Sequence, residues 1–199
     1  MVIAMLAVVA VIILPMIAAS KKRTSRIGCA SNLRQIVYAC RIWEGDNGDK
    51  YPMGISVTNG GSLELAATGN VLDTFLVMSN NLSTPRILHC PEDTNSFSAA
   101  NFSAGFNNQN ISYFVGLDAG DNYPQRMLSG DDNFEIGGVP VKSGLLEVPT
   151  NTPIAWTAAR HKFVGNIGLC DGSVQEVDNS SLASFFNQTG VATNRLAIP

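Results

Sequence analysis

Charge is what this chain has least of. Asp, Glu, Lys and Arg make up 15% of its 199 residues and the net charge is −3, against about 25% charged residues in an average soluble protein. The basic residues cluster only at Lys21, Lys22, Arg23 and Arg26. A nucleic-acid binder needs a basic face on its folded domain, so no nucleic-acid partner is expected. There are two histidines, His89 and His161, and four cysteines, without C-x-x-C or H-E-x-x-H spacing; the usual zinc patterns are missing and no metal site is expected. No G-x-S-x-G or comparable nucleophile-and-base arrangement occurs either, which argues against an enzyme and leaves no catalytic residue to name. There is no internal repeat.

The longest apolar stretch is at the start. Met1 to Ala19 is a continuous apolar run that would span about 28 Å as a helix, close to the hydrocarbon thickness of a bilayer. A cleavable secretory signal would carry positive charge before the apolar run, whereas here Lys21, Lys22 and Arg23 follow it, so a retained span is expected. Beyond Ser20 the pattern stays helical to about Trp43. Ala30, Leu33, Val37 and Cys40 form one apolar row and Ile36 and Trp43 a second, a stripe suited to packing on a sheet. Gly45-Asp46-Asn47-Gly48-Asp49 then breaks the helix. The expected organisation is a transmembrane half-helix (1–19), an amphipathic half (20–45) and one globular domain (46–199).

Eighteen glycines and nine prolines, with many Asn, Ser and Thr, predict a loop-rich, strand-bearing domain. Strand candidates are Arg86 to His89, Ser112 to Val115, Pro153 to Thr157, Asn166 to Cys170 and Ser173 to Val177; Ser181 to Asn187 suits a short helix. Asp171-Gly172 between the last two strands reads as a two-residue hairpin turn, with both residues at positive φ. That register puts Ile167, Leu169 and Val174 on one face, against Leu33 and Val37. The fold class is therefore α+β, a long N-terminal helix on an antiparallel sheet.

Three parts of the chain also carry a resemblance. His161 and Asp171-Gly172 stand nine residues apart in R-H-K-F-V-G-N-I-G-L-C-D-G-S-V; the apolar head runs into S-N-L-R-Q-I (Ser31 to Ile36); and Cys90-Pro91-Glu92-Asp93 lies between them. Together they resemble the bacterial prepilin-type proteins with a processing-associated H-X9-DG domain, relatives of type IV pilins and type II secretion pseudopilins. The resemblance implies a non-enzymatic subunit held in the inner membrane by a single pass, its domain extracytoplasmic or in an extracellular filament. Val2, Ile3, Leu6, Val9, Ile12 and Pro15 would pack and assemble with other pilin-like subunits. Its partners would be those subunits, membrane lipid and a prepilin peptidase. Val2-Ile3-Ala4 is similar to the V-I-A of a mature pilin start, which implies that a leader and about seven mature residues, an acidic one among them, are missing before Met1.

His161, Asp171 and Gly172 are expected to be structural, His161 hydrogen-bonding across a strand end at the entry to the hairpin; a hydrolase built on His161 and Asp171 is the remote alternative. No cofactor is expected. Asp46 to Asp49, Asp118 to Asn122 and Gly130 to Asn133 could each offer oxygen ligands to Ca²⁺, though none fits a calcium-loop pattern. Cys29 and Cys40 are about 16 Å apart along one helix, too far for a disulfide. The expected bond joins Cys29 or Cys40 to Cys90, with Cys170 free and facing away from the helix; four buried thiols are the alternative. N-x-[ST] sequences at Asn81, Asn101, Asn110, Asn179 and Asn187 read as plain loop residues. A second functional expectation is an exported, membrane-anchored domain recognising glycans or cell-surface material through the loops Thr58 to Asn70 and Phe97 to Gln109.

Overall fold

The structure, a computed structural model, describes residues 2–103 and 105–199, and gives only the backbone for 2–12 and 14–23. Helix α1 (Val2–Asp46) is continuous and ends where the Gly/Asp cluster requires. Gly48 and Asp49 take positive φ, and the Asn47 side chain donates 2.7 Å to Trp43 O, closing the last turn. Val2, Ile3, Leu6, Val9, Ile12 and Pro15 lie outside the residues whose side chains are described, as does nearly all of the run on which the membrane span was expected. Among the described residues, no helix is long and apolar enough to cross a membrane.

Three short helices follow, α2 (Leu63–Ala66), α3 (Leu72–Val77) and α4 (Ser79–Leu82), then strands β1 (Tyr113–Gly116), β2 (Met127–Asp131), β3 (Phe134–Ile136), β4 (Val139–Pro140), β5 (Gly144–Pro149), β6 (Ile154–Trp156), β7 (Val164–Leu169) and β8 (Val174–Asp178), helix α5 (Asn179–Asn187) and β9 (Thr193–Ile198). The main sheet has six strands in the order β5-β9-β1-β2-β7-β8, and β4-β3-β6 form a smaller one. Every pairing is antiparallel. The fold is α+β, with α1 packed from about residue 24 onward on the six-stranded sheet.

The main sheet is covered on both sides, so β1 and β2 are buried at every position and their sequences do not alternate. On one face Cys29, Leu33, Ile36, Val37 and Cys40 of α1 pack with Tyr113, Leu128 and Cys170. On the other, Phe114, Ile167, Leu169 and Leu196 pack with Phe134 and Trp156 of the small sheet and Leu182 and Phe186 of α5.

Two local expectations need correction. Arg86 to His89 is not a strand: Pro85–Leu88 is a 3-10 turn. Pro85 supplies a preset φ at its first position, and the Thr84 side chain caps it by accepting from Arg86 N. The β7–β8 hairpin also has a three-residue loop, not a two-residue turn. Leu169 N donates to Ser173 O and Gly172 N to Leu169 O, and Gly168 pairs with Val174. Of the Asp-Gly pair only Gly172 has positive φ, +93°; Asp171 instead accepts from Ser173 N through its carboxylate, at 2.8 Å. This is a turn closed by a glycine bulge.

The one-residue difference in register separates Val174 from Ile167 and Leu169 across the two faces of the sheet. Ile167 and Leu169 turn away from α1 into the second core, while Cys170 and Val174 belong with α1. At the helix contact stands Gly168, where an added Cβ would lie 2.4 Å from Val37 Cγ2. The helix approaches β7 closely because that position has no side chain.

Candidate functional site

The middle of α1, from Gly28 to Asn32, is clasped by the Cys90-Pro91-Glu92-Asp93 segment. Cys29 and Cys90 form a disulfide, which selects one of the two helical cysteines. Asn32 Nδ2 donates to His89 O at 3.0 Å, and Tyr113 Oη donates to Cys29 O at 3.2 Å. The Asn of S-N-L-R-Q-I and the Cys-Pro-Glu-Asp segment thus meet at one place.

Arg160 and His161 arrive at the same place from the loop before β7. Arg160 donates to Ser112 O at 2.9 Å, lies 3.5 Å from Asp93 Oδ2 and forms a second ion pair with Asp132. Asp93 also accepts from Ser96 Oγ and Ser112 Oγ, each at 2.8 Å, and from Asn95 N at 3.0 Å. Burial works to raise the Asp93 carboxyl, but the Arg160 guanidinium and these hydrogen bonds outweigh it and hold it below the usual carboxylate range.

This anchoring holds an unusual backbone. His161, Lys162 and Phe163 have φ of 50°, 53° and 65°, three successive non-glycine residues in a region that costs each of them about 1–3 kcal/mol. The turn drives the His161 side chain inward, where it is 1% exposed. Its Nε2 lies 3.4 Å from Cys90 Sγ and 3.8 Å from Asp131 Oδ2. Asp131 Oδ2 accepts from Asn166 N and Nδ2, at 2.7 and 3.0 Å, while Asp131 Oδ1 and His161 Nδ1 are buried without hydrogen-bond partners. His161 is buried, and its neighbours are the sulfur of Cys90 and the carboxylate of Asp131, the last residue of β2.

Asp171 and Gly172 are elsewhere. The six residues of β7 separate His161 from them by roughly 20 Å, so His161 and Asp171 form no catalytic pair. The spacing of the motif is a strand, with a buried imidazole before it and a bulged turn after it. Beside His161 a groove of ≈ 830 Å³ opens between α1 and the 158–162 loop, lined by Arg26, Ala30, Arg34, Glu92, His161 and Lys162 among others.

Several of the other candidate residues have protein partners. Arg26 pairs with Glu176. Asp118 is held by Arg195 Nε at 3.0 Å, and Asp131 and Asp132 of the proposed calcium loops are the residues engaged above. Asn110, one of the N-x-[ST] asparagines, is buried in a reciprocal cap with Asn107. Cys40 and Cys170 are free and buried; Cys170 lies against α1, contrary to the expectation that it faces away. Burial pushes the Cys40 thiol up to about 12 and the Cys170 thiol up to about 11, so neither is a nucleophile at neutral pH. Among the described residues, Cys29, Cys90 and His161 are the one group of three or more potential metal ligands brought together. The sequence marks His161 and Cys90, but Arg160, Asp93, Asp131 and Asp132 carry no spacing that would have joined them.

Compared with family models, curated proteins and solved structures, the chain matches none.

Proposed function

We propose that this chain is a pilin-like, non-enzymatic subunit that associates through the outer face of its N-terminal helix, in a type IV pilus or a type II secretion pseudopilus. The observation that carries this reading is the distribution of apolar residues around α1. Leu33, Ile36, Val37 and Cys40 face the sheet and are buried, whereas Ile13, Ile27, Tyr38 and Ile42 are 46%, 60%, 69% and 55% exposed. At 100° per residue the exposed four fall within about 60° of arc, on the side opposite the buried stripe. A helix already packed on its own sheet has no internal use for that second stripe. A neighbouring helix would bury it.

The uncharged run Met1 to Ala19 supports anchorage of the same helix in the bacterial inner membrane, before or without transfer to a filament. The Cys29–Cys90 disulfide supports an extracytoplasmic domain, because such bonds persist in oxidising compartments. Other pilin-like subunits and lipid are the partners this reading requires; a prepilin peptidase joins them if a leader is present. The test is Tyr38→Glu with Ile42→Glu, which should abolish cross-linked oligomers in membranes and leave the domain's thermal unfolding unchanged. Oligomers that survive the pair of charges would contradict the proposal.

A second reading, an exported domain that recognises glycans, has one observation in its favour. Thr68, Gly69 and Asn70 from one expected loop and Asn107, Asn108 and Gln109 from the other line a single depression of ≈ 650 Å³. Binding on a glycan array that is lost in Asn70→Ala/Asn108→Ala would favour it; no binding to any glycan would remove it.

A further inference from the structure

We infer that Cys29, Cys90 and His161 form a redox-gated metal site, which takes a thiophilic divalent cation, Zn²⁺ foremost, when the disulfide is reduced. The inference goes beyond the assembly reading and does not depend on it.

The ligand atoms of the three residues lie within 4.8 Å of one another, all on buried side chains. Zinc–sulfur bonds of about 2.3 Å and zinc–nitrogen bonds of about 2.0 Å at a tetrahedral angle set an S···N edge of about 3.5 Å. The Cys90 Sγ to His161 Nε2 separation is 3.4 Å, so an imidazole and a sulfur already stand at the edge length of such a site. Beside this edge, outside the cluster of three, stands a carboxylate: Asp131 Oδ2 is 3.8 Å from the same Nε2, and Asp131 Oδ1 has no hydrogen-bond partner. A buried carboxylate oxygen without a donor, beside a buried imidazole, is a costly arrangement for the protein alone. A cation bound to that imidazole would set a positive charge near it.

The strained 161–163 turn holds His161 in place, and Arg160, fixed by Asp93, Asp132 and Ser112, holds the turn. Access is short, because the groove that His161 lines also touches Ala30 and Glu92, neighbours of the two cysteines. In the chemistry a small thiol reductant gives two electrons: two of its thiols become a disulfide, and the Cys29–Cys90 bond becomes two thiols. The cation then displaces one proton from each thiol into solvent and binds two thiolates and neutral Nε2. Disulfide and metal are alternative fastenings between α1 and the Cys90 segment.

Co²⁺ titration of the full chain tests this, oxidised and after anaerobic reduction with a phosphine (which ends as its oxide, with oxygen from water). The reduced chain should bind one Co²⁺ with intense tetrahedral d–d bands and a thiolate charge-transfer band, which Zn²⁺ bleaches; the oxidised chain should bind none. His161→Ala should weaken binding by more than about tenfold, since even outer-sphere partners of a metal cost that much, while His161→Cys should keep it. Cys40→Ser/Cys170→Ser should leave the spectrum unchanged. If reduction unfolds the chain, Zn²⁺ should refold it by circular dichroism. No cobalt spectrum in the reduced chain, a spectrum indifferent to His161→Ala or lost in Cys40→Ser/Cys170→Ser, or a reduced chain that Zn²⁺ fails to refold would each overturn the inference.

Discussion

His161 Nε2 lies 3.4 Å from Cys90 Sγ although the two are 71 positions apart in the chain. That contact ties the disulfide that fastens α1 to the loop that enters the β7–β8 hairpin. The fastening closes a long loop, its cysteines 61 positions apart, so the chain-entropy estimate of its contribution is about 4 kcal/mol. Cys29→Ala/Cys90→Ala should lower unfolding stability by about 2–4 kcal/mol in urea titrations under oxidising conditions. A change within error would show that the helix needs no covalent clasp.

The approach of α1 to β7 depends on the missing side chain at Gly168. Gly168→Ala puts a methyl where Val37 Cγ2 already stands, an overpacking that should cost about 1–3 kcal/mol. Val37→Ala in the same chain should return part of that loss. Additive losses in the double variant would mean that the two positions do not touch.

Asp93 and Arg160 predict a pH dependence. The carboxyl is held below its ordinary value in the folded chain, so its contribution is fully present above the unfolded value of about 3.9 and fades as pH falls through the lower folded one. Arg160→Met removes the cation and leaves a buried Asp93 and a half-buried Asp132 without it. The cost should be about 3–5 kcal/mol at neutral pH, and acid unfolding should begin at higher pH than in the parent chain. Identical acid-unfolding profiles would contradict the pairing.

At the β7–β8 loop, Gly172→Val should be less stable than Gly172→Asn by about 1 kcal/mol, since Asn tolerates positive φ far better than a β-branched residue. Asp171→Ala should cost less than Gly172→Val, because Asp171 contributes one exposed hydrogen bond and no special backbone angle. Equal melting temperatures for the two Gly172 variants would mean that the bulge geometry is wrong.

The strands that are legible are those whose pattern is local. β1, β6, β7 and β8 fall on four of the apolar stretches read from the sequence, and α1 stops at its Gly/Asp cluster. Pro85 and Thr84 decided the fate of Arg86 to His89 through cap chemistry, which hydrophobicity does not report. β2, β5 and β9 escaped because β2 is buried on both faces and β9 inserts between β1 and β5 from the far end of the chain. The hairpin shows how sharp the limit is: Asp-Gly marks the turn, but only backbone hydrogen bonding tells a two-residue loop from a three-residue one, and that residue parts Val174, which faces α1 as expected, from Ile167 and Leu169, which do not. The candidate site was half legible. Cys90 and His161 stand out as motif residues, whereas Arg160, Asp93 and Asp131 matter through a convergence of distant loops that no spacing encodes.

The central claim, association through the outer face of α1, is tested most directly by site-specific photo-cross-linking of the chain in bacterial membranes. A photoreactive residue in place of Tyr38, 69% exposed on that face, is compared with one in place of Val139, 66% exposed on the small sheet. The account predicts cross-links to other pilin-like subunits from position 38 and none from position 139. Cross-links from position 139 alone, or none from position 38 in any membrane preparation, would contradict it.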